Sequence, residues 1–200
     1  MKLVFFGDSI TEAGRNLFDP HDLGEGFVKI AAGKLRPLYP DVEFDIYNFG
    51  VGGDRTEELL ARVDEVVGVR PDVVVLEVGV NDVWRRFTNE EIVTEEQFGR
   101  NYSAIIDALK ACGAKIILVE PYVLNMQDKR RFRSYLNTYI AVIREIARRG
   151  ELPLIPLDEI FNGVTQDIKP EAFAEDGVHP THRGCRYIAD LVIKELKKYL

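Results

Sequence analysis

The chain is poor in the residues that staple or metallate small proteins. It has two cysteines, Cys112 and Cys185, and three histidines, His21, His179 and His182, in 200 residues. Two cysteines this far apart match no metal-ligand spacing, so a cysteine-built metal module is excluded, and they are read as free buried thiols rather than a disulfide. No basic run exceeds Lys129-Arg130-Arg131, against a net charge of −7. That balance argues against nucleic acid as a partner and disfavours a polyanionic substrate. No stretch approaches the length of a membrane span, and Leu3-Val4-Phe5-Phe6 is too short for the apolar core of a signal peptide before Gly7-Asp8 ends it. The expectation is a cytoplasmic protein with no membrane partner. Internal repeats, low-complexity tracts and linkers are also missing, so residues 1–200 are read as one domain.

What the chain does have is an alternation of apolar runs and amphipathic segments. Strands are expected at 2–6, 42–48, 73–79, 115–120 and 153–157. The continuous runs Val73-Val74-Val75-Leu76 and Ile116-Ile117-Leu118-Val119 suit strands covered on both faces, as in a parallel sheet. A helix is expected from near Asp54, with Leu59, Leu60, Val63 and Val67 on one side. A second begins at the capping pair Thr94/Gln97, carries Phe98, Ile105, Leu109 and Cys112, and stops at Gly113. A third carries Phe132, Leu136, Tyr139, Ile140, Ile143 and Ala147 and is closed by Gly150. A fourth starts near Thr181 and aligns Ile188, Leu191, Val192, Leu196 and Tyr199. Strand–helix units joined by right-handed crossovers give a three-layer α/β/α sandwich around a five-stranded parallel sheet, with 15–26 as a surface loop near the site. In such sheets ligands sit beyond the carboxyl ends of the strands. Ser9 follows the first strand, Gly50 to Gly53 the second, and Asn81 the third.

A serine hydroxyl at neutral pH needs a base to take its proton as it attacks a carbonyl. His179 has a carboxylate, Asp176, three residues earlier, suited to hold the imidazole in the right tautomer and stabilise the imidazolium. The oxyanion formed by attack needs donors already aimed at it. Three suggest themselves: the N–H of Ser9, a backbone N–H in the glycine-rich loop Asn48–Asp54, and the side-chain amide of Asn81. Each element alone has a bland reading, as a capped turn, a local hydrogen bond or a turn pair. Their joint occurrence at the ends of successive strands points to chemistry.

These residues fall into short blocks, Gly7-Asp8-Ser9-Ile10-Thr11, Asn48-x-x-x-x-Gly53-Asp54, Gly79-x-Asn81-Asp82 and Asp176-x-x-His179-Pro180. The blocks resemble those of the SGNH (GDSL-type) hydrolases, esterases and lipases of flavodoxin-like fold. The resemblance implies Ser9 as nucleophile, Asp176 and His179 as acid and base, and Ser9, Gly53 and Asn81 as oxyanion donors, with no metal or organic cofactor. It selects Gly53 within a loop whose residues alone left the donor open. Thr11-Glu12-Ala13-Gly14-Arg15, Gly24-Glu25-Gly26-Phe27-Val28, Asn81-Asp82-Val83-Trp84-Arg85 and Glu120-Pro121-Tyr122 are similar to the bacterial carbohydrate acetylesterases of that family. The resemblance therefore implies a serine esterase acting on short acyl, chiefly acetyl, esters of a small molecule or oligosaccharide, and a homo-oligomer.

Trp84 is read either as a sugar platform or acyl-pocket wall, or as an interior or subunit contact. His182 is expected to face solvent, and His21 lies in the 15–26 loop, where it could line the cleft. Asp8 and Asp82 are expected to hold their loops by accepting backbone N–H bonds. Arg55 starts a helix or reaches the site. The rival activities are a lipase, lysophospholipase or thioesterase on the same framework, a metal-dependent hydrolase using Asp176, His179 and His182, and a non-catalytic carbohydrate binder. A dinucleotide site is disfavoured because Gly50-x-Gly52-x-x-Arg55 lacks the third glycine of that fingerprint.

Overall fold

A computed structural model describes residues 1–200. Its centre is a five-stranded parallel sheet in the order β2-β1-β3-β4-β5. The strands are β1 (Lys2–Gly7), β2 (Asp45–Gly50), β3 (Val73–Glu77), β4 (Lys115–Val119) and β5 (Leu154–Ile155). β3 is buried along its whole length, as its uninterrupted apolar run requires of a strand covered on both faces.

Chain direction sets the layers. β1 to β2 moves one way across the sheet, whereas β2 to β3, β3 to β4 and β4 to β5 move the other way. Right-handed crossovers therefore put the first connecting helix on one face and the later ones on the opposite face. α1 (Ser9–Glu12) is a single turn after β1, and the first crossover helix is α2 (Phe27–Leu38), which packs on the last helix, α9 (His182–Leu196). On the other face α3 (Thr56–Ala61) and α4 (Val63–Val69) pack on α6 (Glu95–Ala111), which packs on α7 (Arg130–Gly150). α5 (Val80–Thr88) also lies against α7, and α8 (Leu157–Val164) follows β5. The buried apolar side chains form one contiguous cluster of 54 residues.

The details differ from expectation where partners decide them. β2 occupies 45–50 rather than 42–48 because its neighbour begins at Lys2, which pairs with Asp45; before that only the Met1 amine reaches this stretch, donating to Glu43 O. Gly50 is accordingly the last residue of the strand and not part of the loop. β3 stops at Glu77 because Gly79, at φ +137°, turns the chain into α5. β5 holds only Leu154 and Ile155 of the expected 153–157, since α8 starts at Leu157. The helix expected near Asp54 is broken at Arg62, whose guanidinium reaches back to Asp54 Oδ2 (2.6 Å) and Gly7 O (3.1 Å). α6 begins on Thr94, whose hydroxyl accepts the Gln97 N–H. α7 runs through Gly150, and the left-handed closing residue is Glu151 at φ +51°. No helix is long and apolar enough to cross a membrane.

For function the important feature is register. Gly7 pairs with Gly50 on one side and Glu77 on the other, and Glu77 pairs with Val119. The carboxyl ends of four strands thus stand level, and the chain reverses its direction of travel around β1, which is where open α/β sheets place ligands. Leu76, fully buried in the central strand, tests how far the platform depends on its core. Leu76→Ala is expected to cost about 2–5 kcal/mol, read as a lower denaturant midpoint at unchanged slope.

Candidate active site

β1 ends in a tight turn that delivers Ser9. Asp8 caps α1, its Oδ1 accepting the Ile10 N–H at 3.0 Å, and Ser9 occupies the first helical position, half-exposed above the buried Asp8. A larger residue does not fit before it: a Cβ on Gly7 would fall 2.3 Å from Glu77 O and 2.4 Å from Thr11 Oγ1.

Ser9 Oγ lies 2.9 Å from His179 Nε2, although 170 residues separate them. His179 Nδ1 lies 2.6 Å from Asp176 Oδ2. The other Asp176 oxygen accepts the backbone N–H of Val178 (2.9 Å) and His179 (2.8 Å), so the carboxylate is fixed before it orients the ring. Burial alone would raise the Asp176 carboxyl; the hydrogen bond with His179 and those two amides outweigh it and hold the group below its usual range. The loop is pinned on both sides. Gly177 O accepts the Leu124 N–H, and Thr181, the cap of α9, donates through its hydroxyl to Ala172 O.

The loop after β2 faces this pair. Gly53 has φ +83°, a region that favours glycine, and its N–H meets no protein acceptor. Its carbonyl accepts from Arg85 Nη2 at 2.7 Å, and the preceding Gly52 N–H donates to the Glu12 carboxylate. Arg85 is itself held by Glu58 and Glu91, both of which also pair with Arg55. Arg55 therefore starts α3 and anchors this network. Asn81, in the first turn of α5, donates one Nδ2 hydrogen to Asp54 O at 3.0 Å, tying the third loop to the second. The amide nitrogen carries a second hydrogen; Asp8 Oδ2 lies 3.4 Å away, at the limit of a hydrogen bond.

The structure thus gathers Ser9, Asp176, His179, Gly53 and Asn81 at one edge. Trp84 stands apart from them in its contacts: its ring stacks on Phe132 of α7 at 4.8 Å, with Lys129 Nζ 5.0 Å from its centroid. His21 packs on Tyr47 and faces Asp45, towards the amino end of β2 and away from the cleft. His182 is exposed on α9, and no cluster of three or more His, Cys, Asp or Glu side chains is arranged to hold a metal ion, Asp176, His179 and His182 included. Both cysteines are free. Glu12, Arg85 and Glu77 went unassigned at the level of sequence. Glu77 carries a signal there as the one acid in an otherwise apolar strand, and Glu12 and Arg85 lie within the blocks similar to the acetylesterases.

Asp82 accepts from both the N–H and the hydroxyl of Thr56, the latter at 2.7 Å, and joins the head of α5 to the head of α3. Burial pushes its carboxyl up to about 7 despite these bonds.

The chain matches the model of the GDSL-like lipase/acylhydrolase family over residues 5–187. It is 30% identical to an acetylxylan esterase of Geobacillus stearothermophilus over 98% of this chain and 93% of that one. The crystal structure of that esterase superposes with a TM-score of 0.90 over the same shares. Related structures of it are described as catalytic mutants in which a serine, an aspartate or a histidine is replaced by alanine. An α/β hydrolase from the metagenome of Lake Arreo superposes at 0.89 with 28% identity, covering 96% of this chain and 93% of that one. Thioesterase 1/protease 1/lysophospholipase L1 of Escherichia coli is 26% identical over 76% of this chain and 67% of its own.

Asp82 supplies a test of the linkage between site and fold. Its folded carboxyl, raised to about 7, keeps a proton that the unfolded chain releases near its ordinary value of 3.8. The folded form thus binds more protons in that window, and stability falls as pH rises through it, by at most about 1.4 kcal/mol per pH unit from this group. Asp82→Asn is expected to flatten that decline between pH 4 and 7 in denaturation curves; a decline equal to that of the parent would assign it to other acids.

Proposed function

The chain belongs to the GDSL-like lipase/acylhydrolase family, and from that premise we propose that it is a serine esterase removing short acyl groups, acetyl above all, from a hydroxylated carbohydrate. The observation that carries this reading is the unbroken line from Ser9 Oγ to His179 Nε2 (2.9 Å) and from His179 Nδ1 to Asp176 Oδ2 (2.6 Å).

In the proposed reaction His179 Nε2 takes the Ser9 proton as Oγ attacks the ester carbonyl. Asp176 keeps the proton on Nδ1 and stabilises the imidazolium. The oxyanion is met by the N–H groups of Ser9 and Gly53 and by the second Nδ2 hydrogen of Asn81. The free Gly53 N–H supports its part in this hole, and the Asp54 bond supports that of Asn81 by holding the amide in place. His179 then gives its proton to the leaving alkoxide, and the same ring activates the water that frees the acid.

A short acyl group is favoured by two observations. None of the large exposed apolar residues lies in the loops 50–54, 78–82 or 174–180 around Ser9; Leu17 and Phe18 stand in the 15–26 loop instead. The acetylxylan esterase relative matches along nearly the whole chain, whereas the thioesterase and lysophospholipase relative matches a shorter part at lower identity. The stacking of Trp84 on Phe132 favours a wall, offering an edge to the substrate, over a free platform for a sugar ring.

Ser9→Ala is expected to abolish ester turnover with no change in fold, and Asp176→Asn to lower kcat by roughly 10⁴-fold by the loss of the correct tautomer. Rates on para-nitrophenyl esters are expected to fall steadily from acetate to palmitate, and acetylated xylo-oligosaccharides to be deacetylated. A maximum at long acyl chains would instead favour the lipase or lysophospholipase reading. Arg85→Ala, which frees the Gly53 carbonyl, is expected to lower kcat about 10- to 100-fold at little changed KM, the cost of a misplaced donor; full activity would show that the Glu12 contact alone holds the loop.

A further inference from the structure

Beneath Ser9 lies an acid that the reaction does not use. Glu77 closes β3 and is 1% exposed, directly beside Asp8 at 0%. Glu77 is the lateral partner of Gly7, so its side chain meets the Asp8 turn, close enough for the two carboxyls to share a hydrogen bond. Their other partners divide unequally. Asp8 already accepts from Ile10 N–H through Oδ1, and its Oδ2 faces Asn81 Nδ2. Glu77 Oε2 faces the Thr11 hydroxyl at 3.4 Å, but Oε1 is buried with no donor at all.

Two buried carboxylates in contact cannot both be ionised, and a buried charge without a donor or a cation is costly. No cation acts on Glu77; the groups that do are Asp8 and Thr11. The phenols of Tyr102, from α6, and Tyr122, after β4, lie within the reach of its charge, yet neither hydroxyl has a hydrogen-bond partner. Burial pushes the Asp8 carboxyl up to about 7 and Asp54 acts in the same direction, but the Ile10 amide, a hydrogen bond from Glu77 and His179 all favour its ionised form, whereas only the Thr11 hydroxyl favours a charge on Glu77. A hydrogen on Glu77 Oε1 gives that orphaned oxygen a partner and removes the repulsion together.

We propose that Glu77 is a positioning residue working as a neutral acid, its Oε1–H donating to the Asp8 carboxylate so that the pair carries one negative charge and holds the Ser9 turn at the head of α1, beside the Asn81 amide. The role rests on the reading of Ser9 and Asn81 given above. Burial first, and then the charge of Asp8, push the Glu77 carboxyl well above its ordinary range, which agrees with the proton being kept at neutral pH. The single charge suits the reaction. It faces the imidazolium that forms on His179, whereas a second charge on Glu77 would sit behind the developing oxyanion. Loss of the Glu77 proton at high pH therefore disorders the site and contributes an alkaline fall in kcat.

The test compares Glu77→Gln, which keeps a neutral donor, with Glu77→Leu, which keeps bulk and loses it. Glu77→Gln is expected to retain kcat within about threefold at pH 7 and to lose the alkaline fall of the parent, whereas Glu77→Leu is expected to lose roughly tenfold or more in kcat at similar KM. Infrared difference spectra of parent against Glu77→Gln are expected to show the carbonyl stretch of a protonated carboxyl at pH 7, bleached on alkaline titration. A Gln variant as impaired as the Leu variant, an alkaline limb unchanged in Gln, or the absence of that band would each overturn the proposal. The infrared band is independent of turnover and is expected in Ser9→Ala as well, so a wrong assignment of the nucleophile would show as activity in Ser9→Ala and would leave the band in place.

Discussion

The arrangement depends on the level ending of the central strands. Gly7, Gly50, Glu77 and Val119 are lateral partners, so the loops that follow them begin at one height. A one-residue slip of β1 against β3 would send Phe5 and Phe6 to the wrong faces and bury Ser9 or withdraw it. The apolar side chains of the strands, packed on both faces, hold that register. The chemistry at the edge is thus specified by packing far from it, and the glycines at Gly7 and Gly50 let neighbouring backbones approach there. A Cβ on Gly50 would fall 2.2 Å from Glu12 N, so α1 can close onto β2 only across a bare backbone.

On that platform the loops are tied to one another rather than to solvent. Asn81 holds Asp54 O, Arg85 holds Gly53 O, Glu12 holds Gly52 N–H, and Arg62 joins Asp54 to Gly7 O. Apart from the Arg62–Asp54 ion pair, these polar and charged side chains act on backbone groups, which makes them instruments of geometry more than of charge. Their worth lies in pre-organisation: donors aimed in advance require no reorganisation when an oxyanion forms. The cost is a cluster of buried acids, Asp8, Glu77 and Asp82, whose carboxyls are all pushed up by burial. Stability is given up near neutral pH to keep polar groups where packing alone would place hydrocarbon.

The layered fold and the meeting of Ser9 with His179 were legible in the residues because both rest on strong local patterns. Unbroken apolar runs mark β1, β3 and β4, and short polar blocks follow the strands. What escaped has a common cause. α2 carries Phe27, Val28, Ala31, Ala32 and Leu35 at helical spacing, but Gly26, Gly33 and Pro37 blur its outline. α5 is masked because Asn81 and Asp82, which read locally as a turn, are spent on Asp54 and Thr56. The break at Arg62, the partners of Arg85 and the pairing of Glu77 with Asp8 join residues distant in the chain, and single-sequence patterns report only neighbours. Trp84 and His21, both weighed as cleft residues, found stacking partners in Phe132 and Tyr47.

Exposure of the dyad bears on which part of a substrate is read. The His179 side chain is 58% exposed and that of Asp176 47%. In the proposed reaction the leaving alcohol takes its proton from His179, so it departs on the open side, where no enclosure limits its size. On the proposed reading, exclusion is left to the acyl side, beside the tied loops around Gly52 and Gly53, while the alcohol is sorted by contact. Against Gly177 of the triad loop lie the Met126 sulfur and the stem of Lys129, whose ammonium sits by the Trp84 ring. An apolar ring edge next to a cation suits a hydroxylated ring better than an alkyl chain, since a sugar offers both a C–H face and acceptor oxygens. Under the esterase proposal, a site of this build limits the acyl group by shape and leaves the alcohol to be selected by affinity.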